Sequence, residues 1–264
     1  MVGIDECGDE GGDAKTVQTL SGLLSWSHFI EIIYLKDPLQ RQFYAEMARV
    51  ERWSVRTLRQ KIQGMLYERN AISRKPEELA RQELEALQEV DRMTPDLVFR
   101  DPYLLDFLRL ADTYSERDLE VAILKELERF LLELGTDISF IACQNMTIGE
   151  RDFYLDLLFY HRSLHRMVAI ELKLGSFDAA YKGQMELYLR WLDRDERRSG
   201  EDMPIGLILC GEENREQIEL LQLDRGEIRV AEYLMELPPR KMLEAKLRAA
   251  IRLVRGQMEK SSQS

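Results

Sequence analysis

The sequence predicts a mixed α/β protein in two parts: an all-helical N-terminal module, then a mixed-sheet domain with flanking helices. Three observations carry that prediction. Through residues 18–90 apolar residues recur at helical spacing. Residues 138–174 then hold three successive stretches of strand character separated by turn residues. From residue 178 onward helical and strand stretches alternate, as they do where a sheet has parallel members.

The helical module occupies residues 17–92. QTLSGLL is a first helix candidate, and a second starts near Ser27 and carries Phe29, Ile32, Ile33 and Leu35. Asp37-Pro38 restarts the chain into LQRQFYAEMARVER, because Pro suits the first turn of a helix. Ser54 caps VRTLRQKIQGMLYERN, in which Val55, Leu58, Ile62, Met65 and Leu66 share one face. A polar linker leads through Lys75-Pro76 into the helical EELARQELEALQEV.

The second domain spans residues 93–237. Ser115 and Asp118 form a capping box that opens an amphipathic helix of Leu119, Ile123, Leu127, Phe130 and Leu131, ending at Gly135. ISFIACQNMTI, DFYLDLLFYH and RMVAIELKL are successive strands, turning at Gly149-Glu150 and around Ser163. DAAYKGQMELYLRWLDRD returns to helical period. PIGLILCG is apolar on both faces, as buried strands are. NREQIELLQL and IRVAEYLM add a short helix and a last strand, and residues 238–264 form a basic helix and tail.

The formal net charge is −11, but it is unevenly spread. The Gly-rich tail 1–16 is acidic and reads as disordered, with no apolar h-region of a secretory signal. Residues 238–258 are locally basic through Arg240, Lys241, Lys246, Arg248, Arg252 and Arg255. Net charge therefore neither requires nor excludes a nucleic-acid partner. No apolar run reaches the ~18 residues of a membrane span. Cys7, Cys143 and Cys210 are odd in number and widely spaced; the latter two read as buried free thiols. A reducing, cytoplasmic location is the expectation.

The chemistry concentrates in two strands. Alternation places Asp152, Tyr154 and Asp156 on one face of residues 152–161, opposite Phe153, Leu155, Leu157 and Phe159. In residues 166–174 Glu171 and Lys173 share a face, backed by Val168, Ile170, Leu172 and Leu174. Charges flanked by such residues are costly in a central strand unless they pair or bind a cation. A hairpin sets Asp156 beside Glu171, fifteen residues on. Two carboxylates that can hold Mg²⁺, with an ammonium alongside, suit phosphodiester hydrolysis.

This Asp…Glu-Leu-Lys pattern resembles the PD-(D/E)XK nuclease superfamily. The ordered set SERDLEVAILKELERFLLELG, DFYLDLLFYHR, IELKLG, KGQMELYL and PIGLILC resembles, more specifically, the bacterial YhcG-type family. SWSHFIEIIYLKDPLQRQFY and WSVRTLRQKI resemble that family's N-terminal helical region, so the likeness covers about residues 17–237. It implies a restriction-endonuclease-like fold and a Mg²⁺- or Mn²⁺-dependent nuclease, with DNA favoured over RNA. It implies Asp156 and Glu171 as metal ligands, the Leu172 carbonyl as a further oxygen and Lys173 as the motif lysine. Gln184 and Tyr188 match a QxxxY helix element, and Glu120 matches an acidic residue that some members add to the metal site. Leu155 stands where the motif name has proline. A homodimer is the simplest way to cut both strands of a duplex.

Each assignment has a plainer competitor. Asp156, Glu171 and Lys173 could form a structural ion pair, in a non-catalytic nucleic-acid-binding or assembly protein that keeps the fold. Glu120 could be a solvated charge, and Gln184 and Tyr188 helix-surface residues. Asp152 reads as a turn-end surface charge. His161 and His165 have i, i+4 spacing but flank a turn, and read as surface residues. Pro95-Asp96 is no motif, since no Glu-x-Lys follows at hairpin distance. Arg49, Arg52, Arg56 and Arg59 recur at three- and four-residue spacing; Arg52, Arg56 and Arg59 are candidate nucleic-acid contacts. A charged helix surface laced by Glu46, Glu51 and Glu68 is the competing account.

Overall fold

The structure is a computed structural model that describes residues 24–73, 95–99, 101–110, 113–135, 137–223, 226–239, 241–243 and 245. The acidic tail with Cys7, most of QTLSGLL, the linker helix and most of the basic C-terminal segment lie outside the described residues. The chain forms two compact units, divided between Gln63 and Gly64.

The first unit contains α1 (Trp26–Ile33), α2 (Pro38–Val50) and α3 (Val55–Gln63). Each begins where the sequence supplies a cap. Ser25 and His28 bond reciprocally at the start of α1. Asp37 accepts the Leu39 N–H at 2.9 Å, and Ser54 Oγ accepts the Thr57 N–H at 3.1 Å. Ile32, Tyr44, Met47, Trp53 and Leu58 are buried. The competing account of a helix surface laced by glutamates does not hold: Glu46, Glu51 and Glu68 are all buried. Arg49 pairs with Glu46 at 2.9 Å, and Trp53 Nε1 donates to Glu51 at 2.7 Å, so two of these carboxylates satisfy interior donors.

In the second unit, α4 (Leu66–Ser73), α5 (Pro95–Val98), α6 (Glu116–Lys125) and α7 (Leu127–Leu134) precede the body of the sheet. The helix expected from Val55 to Asn70 divides at Gly64-Met65, where Met65 takes a φ of 54°. α4 therefore groups with the second unit rather than with the helical module. Its Arg69 is almost fully buried; the guanidinium meets Glu133 of α7 at 2.8 Å and donates to the Gly64 and Pro102 carbonyls. The helix expected to run from Ser115 to Gly135 is likewise interrupted, at Glu126. Its capping box forms as read, with Ser115 N–H donating to Asp118 at 2.9 Å.

Six strands make one mixed sheet: β1 (Tyr103–Leu104), β2 (Ile138–Ile148), β3 (Arg151–His161), β4 (Arg166–Ser176), β5 (Ile205–Glu212) and β6 (Ile228–Leu234). Their order is β1-β6-β5-β4-β3-β2. β2, β3 and β4 form the antiparallel meander; β4, β5, β6 and β1 run parallel. The two-residue β1 is too short to announce itself by period, and its pairing with β6 is long-range. α8 (Ala180–Trp191) crosses from β4 to β5, and α9 (Arg215–Leu220) from β5 to β6. Met185, Tyr188 and Leu189 of α8 share a core with Leu158, Met167, Ala169 and Ile208. A Cβ on Gly206 would come within 2.6 Å of the Met185 side chain, so the missing side chain lets α8 lie close on the sheet.

Candidate active site

The site forms where two neighbouring ladders of β3 fail together. The β3–β4 pairing runs from His161–Arg166 to Leu157–Ile170, with no Cα partners beyond that pair. On the other side, β3 pairs with β2 at Leu158–Ala142 and again at Leu155–Gln144. Asp156 and Leu157 thus stand against Cys143 alone, a bulge of the kind that re-aims side chains. The bulge corrects the simple alternation expected for this strand. Phe153 and Leu155 before it, and Leu158 and Tyr160 after it, all pack into the α8-side core. A period of two cannot describe both ends of β3.

Asp156 turns its carboxylate to the job that the ladder leaves undone. Oδ2 accepts the Leu172 N–H at 2.8 Å. Across the gap, Glu171 and Lys173 lie on the face of β4 that carries Met167 and Ala169 toward α8. Glu171 Oε2 sits 3.1 Å from the Lys173 ammonium. Its Oε1 is buried and has no hydrogen-bond partner. Burial pushes Asp156 up to about 6, against the Leu172 N–H and the Lys173 charge, which lower it. Burial, and then the Asp156 charge, push Glu171 up to about 7. Burial alone would lower the Lys173 ammonium, but the charge and hydrogen bond of Glu171, with the charges of Glu116 and Asp156, together hold it above its usual range.

Two helices close on this trio. From α8, Gln184 donates to the Tyr188 hydroxyl at 2.5 Å, and that hydroxyl donates to the Tyr154 carbonyl at 3.2 Å, bracing the strand just before the bulge. Tyr188 is 1% exposed, which makes it no surface residue. From α6, Glu116 lies 3.7 Å from Lys173 Nζ and accepts the Leu174 N–H at 3.4 Å. Glu120, one turn on, accepts from the exposed Tyr154 hydroxyl at 2.5 Å. Glu120 is thus held by Tyr154, and its charge also acts on Asp156, raising it. No three His, Cys, Asp or Glu side chains among the described residues are grouped to hold a metal by themselves. Sequence reasoning missed Glu116 and Tyr181, and placed Tyr154 on the Asp156 face without giving it a partner. The i, i+4 spacing of Glu116 and Glu120 was the available signal for the first. Tyr181, three residues before Gln184, lies on the same helix face and puts its ring 5.3 Å from Lys173 Nζ.

A family model of the YhcG PDDEXK nuclease domain matches residues 96–248, more than half of the chain. The chain belongs to the YhcG PDDEXK nuclease-domain family. A model of the DUF1016 N-terminal domain matches residues 10–69 of this YhcG-type chain. It is 34% identical over 239 residues to "Putative nuclease YhcG" of Escherichia coli (strain K12), covering 89% of this chain and 63% of that protein. The chain thus spans somewhat less than two thirds of that relative's length. Among solved structures, a repair endonuclease from Pyrococcus abyssi aligns at 19% identity and a TM-score of 0.33, over 49% of this chain and 50% of its own. EndoMS in apo form aligns at 18% identity and a TM-score of 0.31, over 49% of each chain.

The remaining candidates of the YhcG-type chain are scattered. His161 is 2% exposed and accepts the Leu164 N–H, which corrects the surface reading: it fastens the β3–β4 turn from inside. His165 sits in that turn with a φ of 50°. Asp152 accepts from Thr147 at the β2–β3 turn, as a turn-end charge does. Cys210 is buried, but Cys143 is only partly so and lies opposite the bulge, its thiol pushed up chiefly by burial. In the arginine stripe, Arg49 is packed against Glu46. Arg59 pairs with Glu31 at 2.6 Å in solvent. Arg52, at a φ of 52° in the turn before α3, and Arg56 are exposed. The stripe therefore reduces to Arg52, Arg56 and a partly engaged Arg59. No helix among the described residues is long and apolar enough to cross a membrane.

Proposed function

We propose that the protein hydrolyses nucleic-acid phosphodiester bonds, DNA in preference to RNA, with Mg²⁺ or Mn²⁺ as cofactor. The observation that carries this reading is the buried Glu171 Oε1 with no hydrogen-bond partner, beside a second carboxylate at the opening of the β3–β4 ladder. An orphaned carboxylate oxygen in an interior is expensive, and a divalent cation is the ligand that relieves it. The donor set fits Mg²⁺, which is commonly bound by one or two carboxylates and completes its shell with waters and substrate phosphates. Two protein carboxylates therefore suffice where three are not gathered.

In this reading Glu171 and Asp156 hold the cation, with the Leu172 carbonyl as a further oxygen. The ion supplies charge neutralisation at the scissile phosphate and lowers the pKa of bound water. Asp156 keeps its position through the Leu172 N–H. Lys173 presents an ammonium to the attacking water or to the charge that develops on the phosphate. Gln184 and Tyr188 hold the Tyr154 end of the bulge, and so the aim of Asp156. Arg52, Arg56 and Arg59 are proposed as phosphate contacts of the helical module, and a homodimer in the cytoplasm as the working form.

Purified protein incubated with labelled single- and double-stranded DNA and RNA, in Mg²⁺, Mn²⁺ or EDTA, tests the proposal. The expected result is metal-dependent cleavage, fastest on DNA. Binding without cleavage in any metal would instead favour a non-catalytic binding protein that keeps the fold.

A further inference from the structure

Lys173 is held from three sides. Glu171 Oε2 lies 3.1 Å from its ammonium and Glu116 Oε2 3.7 Å. The third neighbour is the Tyr181 ring, 5.3 Å from nitrogen to centroid. The first of these is compromised by the chemistry proposed above, because a cation bound to Glu171 draws on the same carboxylate charge. A ring face behaves differently. It is neutral, offers nothing to a hard divalent ion that selects oxygen ligands, and attracts an ammonium through its quadrupole whatever the carboxylates are doing.

Tyr181 is well placed to hold a fixed position. It stands in the first turn of α8, its N–H donating to the Asp178 carbonyl at 3.0 Å. Phe177 meets its ring nearly edge-on, with centroids 6.1 Å apart and planes at 80°. Farther along the same helix face, Gln184 and Tyr188 bond to each other and to the Tyr154 carbonyl. Lys173, by contrast, carries its charge on a flexible four-carbon stem. Without a third support, its head group would wander when Glu171 turns to a cation.

We infer that Tyr181 is a positioning residue for the Lys173 ammonium, keeping it beside the Asp156–Glu171 pair when a cation engages Glu171. The inference rests on the nuclease reading of this site and adds a residue to it. Tyr181 touches Lys173 and acts through it.

Two variants separate the ring face from mere packing. Tyr181→Phe keeps the π system, and Tyr181→Leu fills much of the space without one. In protein carrying ¹³Cε-labelled lysine, the Lys173 signal is assigned by its loss in Lys173→Arg. A ring-current upfield shift of its Hε protons is expected in wild type and Tyr181→Phe, with and without Mg²⁺, and is lost in Tyr181→Leu. Cleavage by Tyr181→Phe should stay within about threefold of wild type, whereas Tyr181→Leu should lose about tenfold in kcat. KM and the calorimetric Mg²⁺ affinity should be unchanged in both. An equal Lys173 shift in Tyr181→Leu, or equal cleavage rates for the two variants where the wild type cleaves, overturns the inference. The two readings also fail apart: a wild-type protein that shifts Lys173 but cleaves nothing removes the nuclease reading and leaves the contact standing. One that cleaves without the shift removes Tyr181 alone.

Discussion

Glu171 and Lys173 are two residues apart on one strand face, touch each other, and should nevertheless fail in different ways. Glu171→Ala removes a proposed metal ligand, and both calorimetric Mg²⁺ binding and cleavage should be lost. Lys173→Ala should keep metal binding within a few-fold, or tighten it, because a neighbouring positive charge is gone. Its single-turnover cleavage should fall by roughly a hundredfold, the scale of deleting one preorganised charge. Wild-type cleavage by Lys173→Ala would make the 3.1 Å pair a structural salt bridge. Tyr154→Phe addresses Glu120, whose carboxylate the Tyr154 hydroxyl now occupies at 2.5 Å. If Glu120 belongs to the metal site, releasing it should tighten Mn²⁺ binding; an unchanged titration would leave Glu120 as a partner of Tyr154 only. At this scale the sequence named Asp156, Glu171 and Lys173 because three charges sit in apolar strands. It did not show that the Tyr154 hydroxyl engages Glu120, since residues 34 apart in the chain meet only after folding.

Among the elements, α3 and the turn before it carry the proposed phosphate contacts. Arg56 is exposed, whereas Arg59 is already paired with Glu31. Arg56→Ala should therefore flatten the salt dependence of duplex binding by about 0.9 log unit of slope, and Arg59→Ala by less. Anisotropy titrations over a salt series distinguish this from a solvated face, for which both slopes stay at the wild-type value. Several element boundaries were legible where a side chain sets them, although α1 starts after Ser25 rather than near Ser27. Ser54 and Ser115 mark helix starts in the sequence and cap helices in the fold. The breaks at Met65 and Glu126 carry no such local mark, and an amphipathic pattern runs straight through each. The bulge at Asp156 was hidden for a related reason: it is defined by registers with β2 and β4, not by residue type.

In the molecule as a whole, two charge arrangements outside the site carry stability predictions. Arg69 joins α4 to α7 through Glu133 and is almost fully enclosed. Arg69→Ala should cost about 3–5 kcal/mol in urea unfolding, because it removes the cation that neutralises a buried carboxylate; Arg69→Ala with Glu133→Leu should recover part of that, less what the Leu104 N–H loses with its Glu133 acceptor. At the far ends of β5 and β6, Ser176, Glu212, Glu213, Asn214, Arg215 and Glu232 line an open cleft of about 500 Å³. Burial, and then the charge of Asp101 and a hydrogen bond to it, push Glu213 up from 4.5 to about 9; Glu232 raises it further and Arg215 lowers it. A carboxyl with a raised folded-state pKa favours the native state below its unfolded pKa and loses that contribution as pH rises. Glu213→Gln should accordingly match the wild-type Tm below pH 4.5, and exceed it by a growing margin up to about pH 9. Thermal melts that stay parallel across this range would mean Glu213 ionises normally in the fold.

The sequence by itself determined the two-part character of the chain, the meander followed by alternating helices and strands, and the identity of the Asp156, Glu171 and Lys173 cluster. These follow from periodicity, caps and the cost of charges in apolar strands, all of which act over a few residues. Only the tertiary structure decided how the cluster is assembled. It stopped the β3–β4 ladder one pair short of Asp156, brought Glu116 of α6 and Tyr181 of α8 to Lys173, buried His161 where a surface was expected, and buried Glu46 and Glu51 against the competing account of a laced surface. It also gave Leu66–Ser73 to the second unit through Arg69 and Glu133, 64 residues apart. Such pairings depend on strand register and on which faces are enclosed. A local pattern can show that a charge needs a partner, but only the packed chain selects which one it meets.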